Sequence, residues 1–126
     1  MQKEIIPTPH APAAKGPYSP VVAYGDLLFL SGQIPLDPAT GELNRGGIEE
    51  QARLVLENIA AVLKDAGSSR DNVLKATVFL RDMNDFARVN EVYKTFFTGD
   101  YPARTCVQVG RLPLDAGIEI EVIAHR

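Results

Sequence analysis

Hydrophobic and polar positions change period several times along the chain, and each change predicts an element. A short apolar stretch at Ile5-Ile6 gives way to Pro7–Pro20, where five prolines fix an extended, non-helical connection, because proline lacks the amide proton and restricts its predecessor. Val21–Tyr24 and Leu27–Gln33 are β-branched or apolar runs broken by Gly25-Asp26, which suits a turn between antiparallel strands. Asp37-Pro38-Ala39-Thr40-Gly41 reads as the next turn. From Ile48 to Ala66 the residues Ile48, Ala52, Val55, Ile59, Val62 and Leu63 recur at three- and four-residue steps, one helical stripe that Gly67 stops. Val73–Leu80 has the composition of a central strand. A second helix starts near Asp82 or Asn84 and presents Phe86, Val89, Tyr93, Phe96 and Phe97 before Gly99. Arg104–Leu112 and Ile118–Ala124 alternate with period two and are joined by Pro113–Gly117, which predicts a closing hairpin.

The order strand, strand, strand, helix, strand, helix, strand, strand predicts a single α+β domain spanning residues 1–126, with two helices on one face of a single mixed sheet. The other face would then lie bare. Apolar side chains on such a face are ordinarily covered by another subunit under closed symmetry, so an oligomer is expected.

Composition narrows the partners. Thirteen Lys and Arg against 16 Asp and Glu give a net charge of -3, with no basic stripe for nucleic acid or anionic lipid. No apolar run approaches the ~18 residues of a membrane helix, and the opening segment lacks the pattern of a signal or transit peptide. One cysteine allows no internal disulfide and two distant histidines show no metal-ligand spacing, so neither a metal nor a cofactor is expected and the cytoplasm fits best. Phosphate-loop, dinucleotide-turn and nucleophile-elbow motifs are absent.

The remaining chemistry lies in Arg104-Thr105-Cys106 and in Glu119 and Glu121. Period two places Arg104, Cys106 and Gln108 on one face of their strand. If the Pro113–Gly117 loop closes a hairpin with Gly110 opposite Glu119, then Glu119 joins that face, with Ile118, Ile120 and Val122 on the other. A fixed guanidinium matches a carboxylate through parallel donors, and a nearby glutamate can hold and deprotonate water. A solvated hairpin carrying surface charges is the competing reading. Cys106 has no histidine neighbour to activate it, so its backbone groups are better ligand contacts than its thiol. Tyr18 can close a pocket or serve as a packing anchor, and Ser31-Gly32 permits close ligand approach or marks a bulge. Asn90 lies one position from the second helix's apolar stripe, where a solvent-bridged amide is the alternative. His10 and His125 are expected to be solvated.

Gly16-Pro17-Tyr18-Ser19, Leu30-Ser31-Gly32-Gln33-Ile34-Pro35, Gln51-Ala52 with Asn58-Ile59, Lys75–Leu80, Phe86–Asn90, and Tyr101–Val107 through Arg111-Leu112-Pro113 to Ile118–Glu121 together resemble the RidA (YjgF) family across nearly the whole chain. The resemblance implies a chorismate-mutase-like α+β fold, a homotrimer with clefts between subunits, and cofactor-free hydrolysis of enamines and imines such as 2-aminoacrylate to 2-oxo acids and ammonia. It further implies that Arg104 grips the substrate carboxylate, backbone groups of Cys106 meet the nitrogen end, Glu119 places the water, and Tyr18, Ser31, Gly32 and Asn90 shape the cleft. Gln108, Gly110 and Leu114 stand where the family resemblance leads one to expect glutamate, alanine and lysine, which bears on substrate range. The rival reading is a non-catalytic module, regulatory or chaperone-like, that binds small acids in the same cleft.

Overall fold

The computed structural model describes residues 1–126. Six strands form one mixed sheet: β1 (Lys3–Ile5), β2 (Val21–Tyr24), β3 (Leu27–Leu30), β4 (Val73–Leu80), β5 (Ala103–Gln108) and β6 (Ile118–His125), in the spatial order β1-β2-β3-β6-β4-β5. All neighbours are antiparallel except β4 and β5. Helices α1 (Ile48–Asp65) and α2 (Phe86–Phe96) pack against each other and cover one face.

Local chemistry explains the boundaries. Gly25 takes a left-handed φ of 61° in the β2–β3 turn, where a side chain would be strained. Gly67, at φ 76°, closes α1 by donating its amide to the Lys64 carbonyl while Ser68 donates to the Leu63 carbonyl, a paired C-terminal cap. The whole predicted stripe of α1 is buried; that of α2 is buried except Phe86, which stays partly exposed. Inward-pointing Ala76, Val78 and Leu80 of β4 and Ile118, Ile120 and Val122 of β6 meet these helices and form the core. β3 ends at Leu30, short of the predicted Gln33, which pairs with Ile120 as an isolated bridge through amide–carbonyl bonds of 2.8 and 3.1 Å.

The closing hairpin is a correction. β5 and β6 are not neighbours, because β4 lies between them and pairs with both. The unit β4–α2–β5 is a strand–helix–strand crossover that sets β5 parallel to β4, and the chain then passes back to β6 on the far side. β5 ends at Gln108, and residues 109–117 form a loop with a 3₁₀ turn at Pro113–Asp115.

The sheet's other face is bare. Phe29 is 43% exposed, Leu27 41%, Val107 39% and Ile123 36%, apolar side chains from three strands beside those of Glu119 and Glu121.

Candidate active site

Arg104 leaves β5 on the helix-covered face, where α2 receives it. Its Nη1 donates to Asn90 Oδ1 at 2.7 Å, and its guanidinium carbon lies 4.8 Å from the Tyr93 ring centroid and 5.6 Å from that of Phe86. Asn90, Tyr93 and Phe86 are three or four residues apart and therefore share the helix face turned to β5. Arg104 is half-buried, and no carboxylate lies within ion-pair distance of it. Neutral groups hold the cation in place, leaving its remaining donors for an anion from outside. Asn90 thus binds Arg104 rather than solvent.

Cys106 follows on the same face, half-buried against the core. Burial pushes its thiol up, outweighing the opposing pull of the Arg104 charge, so the thiol stays protonated at neutral pH. Burial likewise raises Tyr93 against the same guanidinium, and the Tyr93 hydroxyl is buried without a hydrogen-bond partner. Around Arg104 lies a cleft of about 530 Å³ lined by Asn90, Tyr93, Lys94, Tyr101 and Pro102 among others.

Glu119 lies elsewhere, which is a second correction. Phe79 of β4 is opposite Val107 on one side and Glu119 on the other, so Glu119 shares the bare face with Phe79 and Val107 while Arg104 and Cys106 point the other way. The expectation of a common face failed because it rested on the hairpin. Glu119 is half-buried in a separate cavity of about 450 Å³, which it shares with Tyr18, Ser31, Gly32 and Leu114. Its carboxylate lies against Gly32, where a Cβ would overlap it, so this glycine permits a close approach. Burial first, then the Glu121 charge two residues along the same face, raises the Glu119 carboxyl above its ordinary range.

Tyr18 is 48% exposed at this cavity, and its hydroxyl accepts the Lys15 amide proton at 3.3 Å. Ser31 donates to the Ser19 carbonyl at 2.6 Å, tying β3's end to the proline-rich segment. That segment is also pinned to α1. His10 lies 2.6 Å from the Asp65 carboxylate through Nδ1 and donates its amide to the same group at 3.0 Å, so it is paired rather than merely solvated. His125 is part-exposed. No three His, Cys, Asp or Glu side chains converge as a metal-ligand group.

The seven predicted residues therefore divide between two clefts with no lining residue in common: Arg104 and Asn90, with Cys106 beside them, at one, and Tyr18, Ser31, Gly32 and Glu119 in the other. Sequence reasoning missed Tyr93, whose place in the apolar stripe marked it only as core; Leu114, singled out through the family resemblance as bearing on substrate range, lines the Glu119 cavity.

The family described as Endoribonuclease L-PSP matches residues 8–126. The chain belongs to this family, the RidA (YjgF) family. A family member from Pyrococcus horikoshii, the RutC family protein PH0854, is 54% identical over 98% of both chains. A mouse member, named 2-iminobutanoate/2-iminopropanoate deaminase, is 49% identical over 97% of this chain and 90% of its own. The crystal structure of Escherichia coli TdcF with bound serine superposes with a TM-score of 0.93 at 52% identity, covering 98% of each chain. The RidA fold of one mixed sheet and two helices is thus shown for this chain.

Proposed function

We propose that the chain hydrolyses 2-imino acids such as 2-iminopropanoate and 2-iminobutanoate, and their enamine tautomers such as 2-aminoacrylate, to 2-oxo acids and ammonia. The reaction would take place in clefts shared between the subunits of a homotrimer. The observation that carries this reading is Arg104: a half-buried guanidinium without a carboxylate partner, held by an amide and two aromatic rings. Such a group is built for a small organic acid. The mouse relative's name and the serine bound by TdcF support the same ligand class.

Arg104 binds the substrate carboxylate, and backbone groups of Cys106 orient the nitrogen end. Water bonds to C2 of the iminium as its proton passes to Glu119, and the C=N electron pair moves to nitrogen. Glu119 then returns the proton to the nitrogen of the carbinolamine. The C–N bond breaks, ammonia leaves and takes up the hydroxyl proton, and a 2-oxo acid remains. Burial and Glu121 raise Glu119 toward the range where a carboxylate both takes and returns a proton. Tyr18, Ser31, Gly32 and Asn90 shape the cleft.

Two sets of groups in separate clefts support a site completed by two protomers, and the exposed apolar strip of the bare face supports assembly through that surface. The unpaired Cys106 supports a reducing, cytosolic setting.

The test is a coupled assay that generates 2-aminoacrylate and times pyruvate release. Wild-type protein is expected to accelerate release in catalytic amounts, and Arg104→Ala to abolish that acceleration while the oligomer, read by light scattering, stays intact. Full activity in Arg104→Ala overturns the assignment. No acceleration even at stoichiometric wild-type protein turns the reading into a small-acid sensor.

A further inference from the structure

The loop before β6 carries two consecutive left-handed residues that are not glycine, Leu114 at φ 56° and Asp115 at φ 58°. Non-glycine residues persist in this region only when their surroundings over-determine them. Three arginines do so here. Arg45 donates to the Leu114 carbonyl at 3.3 Å, Arg81 to the Asp115 carbonyl at 3.0 Å, and Arg111 to Asp115 Oδ1 at 2.9 Å. The Asp115 amide also donates to the Leu112 carbonyl at 3.0 Å.

Core packing does not compensate for this conformation. Leu112, Ala116 and Ile118 are buried, whereas Leu114 is 51% exposed and is among the residues lining the Glu119 cavity. Pro12, Pro20, Ile34, Leu36 and Pro113 line it too, so much of the wall around the proposed base is apolar. A three-carbon acid leaves most of a cavity of about 450 Å³ unfilled.

We propose that Leu114 is a specificity-determining residue, held out from the core to contact the side chain of the substrate, and that the chain favours 2-imino acids with aliphatic side chains of three or four carbons over 2-iminopropanoate. This rests on the deaminase reading and deepens it. Each methylene taken into an apolar site contributes about fourfold in kcat/KM.

An L-amino-acid oxidase generates the imines of alanine, 2-aminobutyrate, norvaline and leucine in situ, and semicarbazide trapping of surviving imine reads the protein's hydrolysis rate. Wild-type kcat/KM is expected to rise with chain length, by roughly tenfold or more from the alanine to the leucine imine. In Leu114→Asn, where asparagine tolerates the left-handed backbone but removes the apolar surface, the ratio should collapse toward one. Leu114→Met should keep it. A flat or falling series in the wild type, which needs no variant to fold, overturns this inference and leaves the deaminase reading standing. So does a gradient unchanged in Leu114→Asn, or a change in oligomeric state there with the ratio intact, which assigns Leu114 to subunit packing. Failure on every imine removes both readings.

Discussion

At the scale of single residues, the site is a set of charges placed where ionisation is not free. Arg104 has no counter-ion, and Asn90 and the Tyr93 ring replace part of its hydration. Glu119 faces the opposite problem: burial, and then Glu121, disfavour its carboxylate. A carboxyl whose folded pKa lies above its unfolded value binds more protons in the native state between the two values, so stability falls as pH rises through that window. The ionisation cost is absent below the unfolded pKa and fully present above the folded one. Glu119→Gln should therefore raise Tm at neutral pH and lose that advantage in acid, while deamination is lost at every pH. Thermal melts at pH 3 and pH 7 check the first part, and an equal effect at both would show that the charge of Glu119 is not what destabilises the fold. In the wild type, activity should fall as pH drops through the raised Glu119 value, and Glu121→Gln should move that limb to lower pH.

Between elements, buried side chains rather than strand pairing fix where the loops of the site lie. Gln51 on α1 accepts the Gly117 amide proton at 2.9 Å and donates to the Gly46 carbonyl at 2.9 Å, fastening the start of β6 two residues before Glu119. Gln51→Ala leaves both backbone groups without partners, a loss of about 2–3 kcal/mol in denaturant unfolding. Gln51→Glu, which can accept but not donate, should fall between. Equal stability of all three proteins would mean that water replaces the amide. Element identities were readable in the sequence because each stripe reports its own burial: Ala52, Val55 and Ile59 on α1, and Ile118, Ile120 and Val122 on β6, were assigned to shared faces and share them. Arg104 and Cys106 were likewise paired correctly. The relation between strands was not readable from alternation, since period two gives the faces of one strand and says nothing of its neighbour. Pro113–Gly117 looked like a hairpin loop, yet the order β4–α2–β5 already carried the stronger signal, a crossover that makes β4 and β5 parallel neighbours. Leu114's conformation had no sequence signature, because glycine or asparagine is what such a position usually shows.

On the scale of the whole molecule, the sheet itself separates the groups of the reaction. From Ala76, opposite Arg104, to Phe79, opposite Glu119, is three residues along β4, and β4 stands between their strands. That is roughly 10 Å along and 10 Å across, with the side chains leaving opposite faces. No rotamer change brings them together within one chain. If both serve one substrate, the site takes Arg104 from one protomer and Glu119 from the next. Mixing two dead variants tests this directly. Arg104→Ala and Glu119→Gln chains, co-expressed in equal amounts with different tags, assemble at random. A site then works only where a protomer that keeps Arg104 meets a neighbour that keeps Glu119, a chance of about one in four in any closed ring. The mixed oligomers should regain about a quarter of wild-type deamination, whereas mixing separately assembled variants without subunit exchange should regain none. If Arg104 and Glu119 of one protomer made a complete site instead, every site would carry one lesion and co-expression would restore nothing. The double variant Arg104→Ala/Glu119→Gln co-expressed with wild type gives the same separation with the opposite sign. Sites split between protomers fall to about a quarter of full activity at equal expression, and self-contained sites only to about a half.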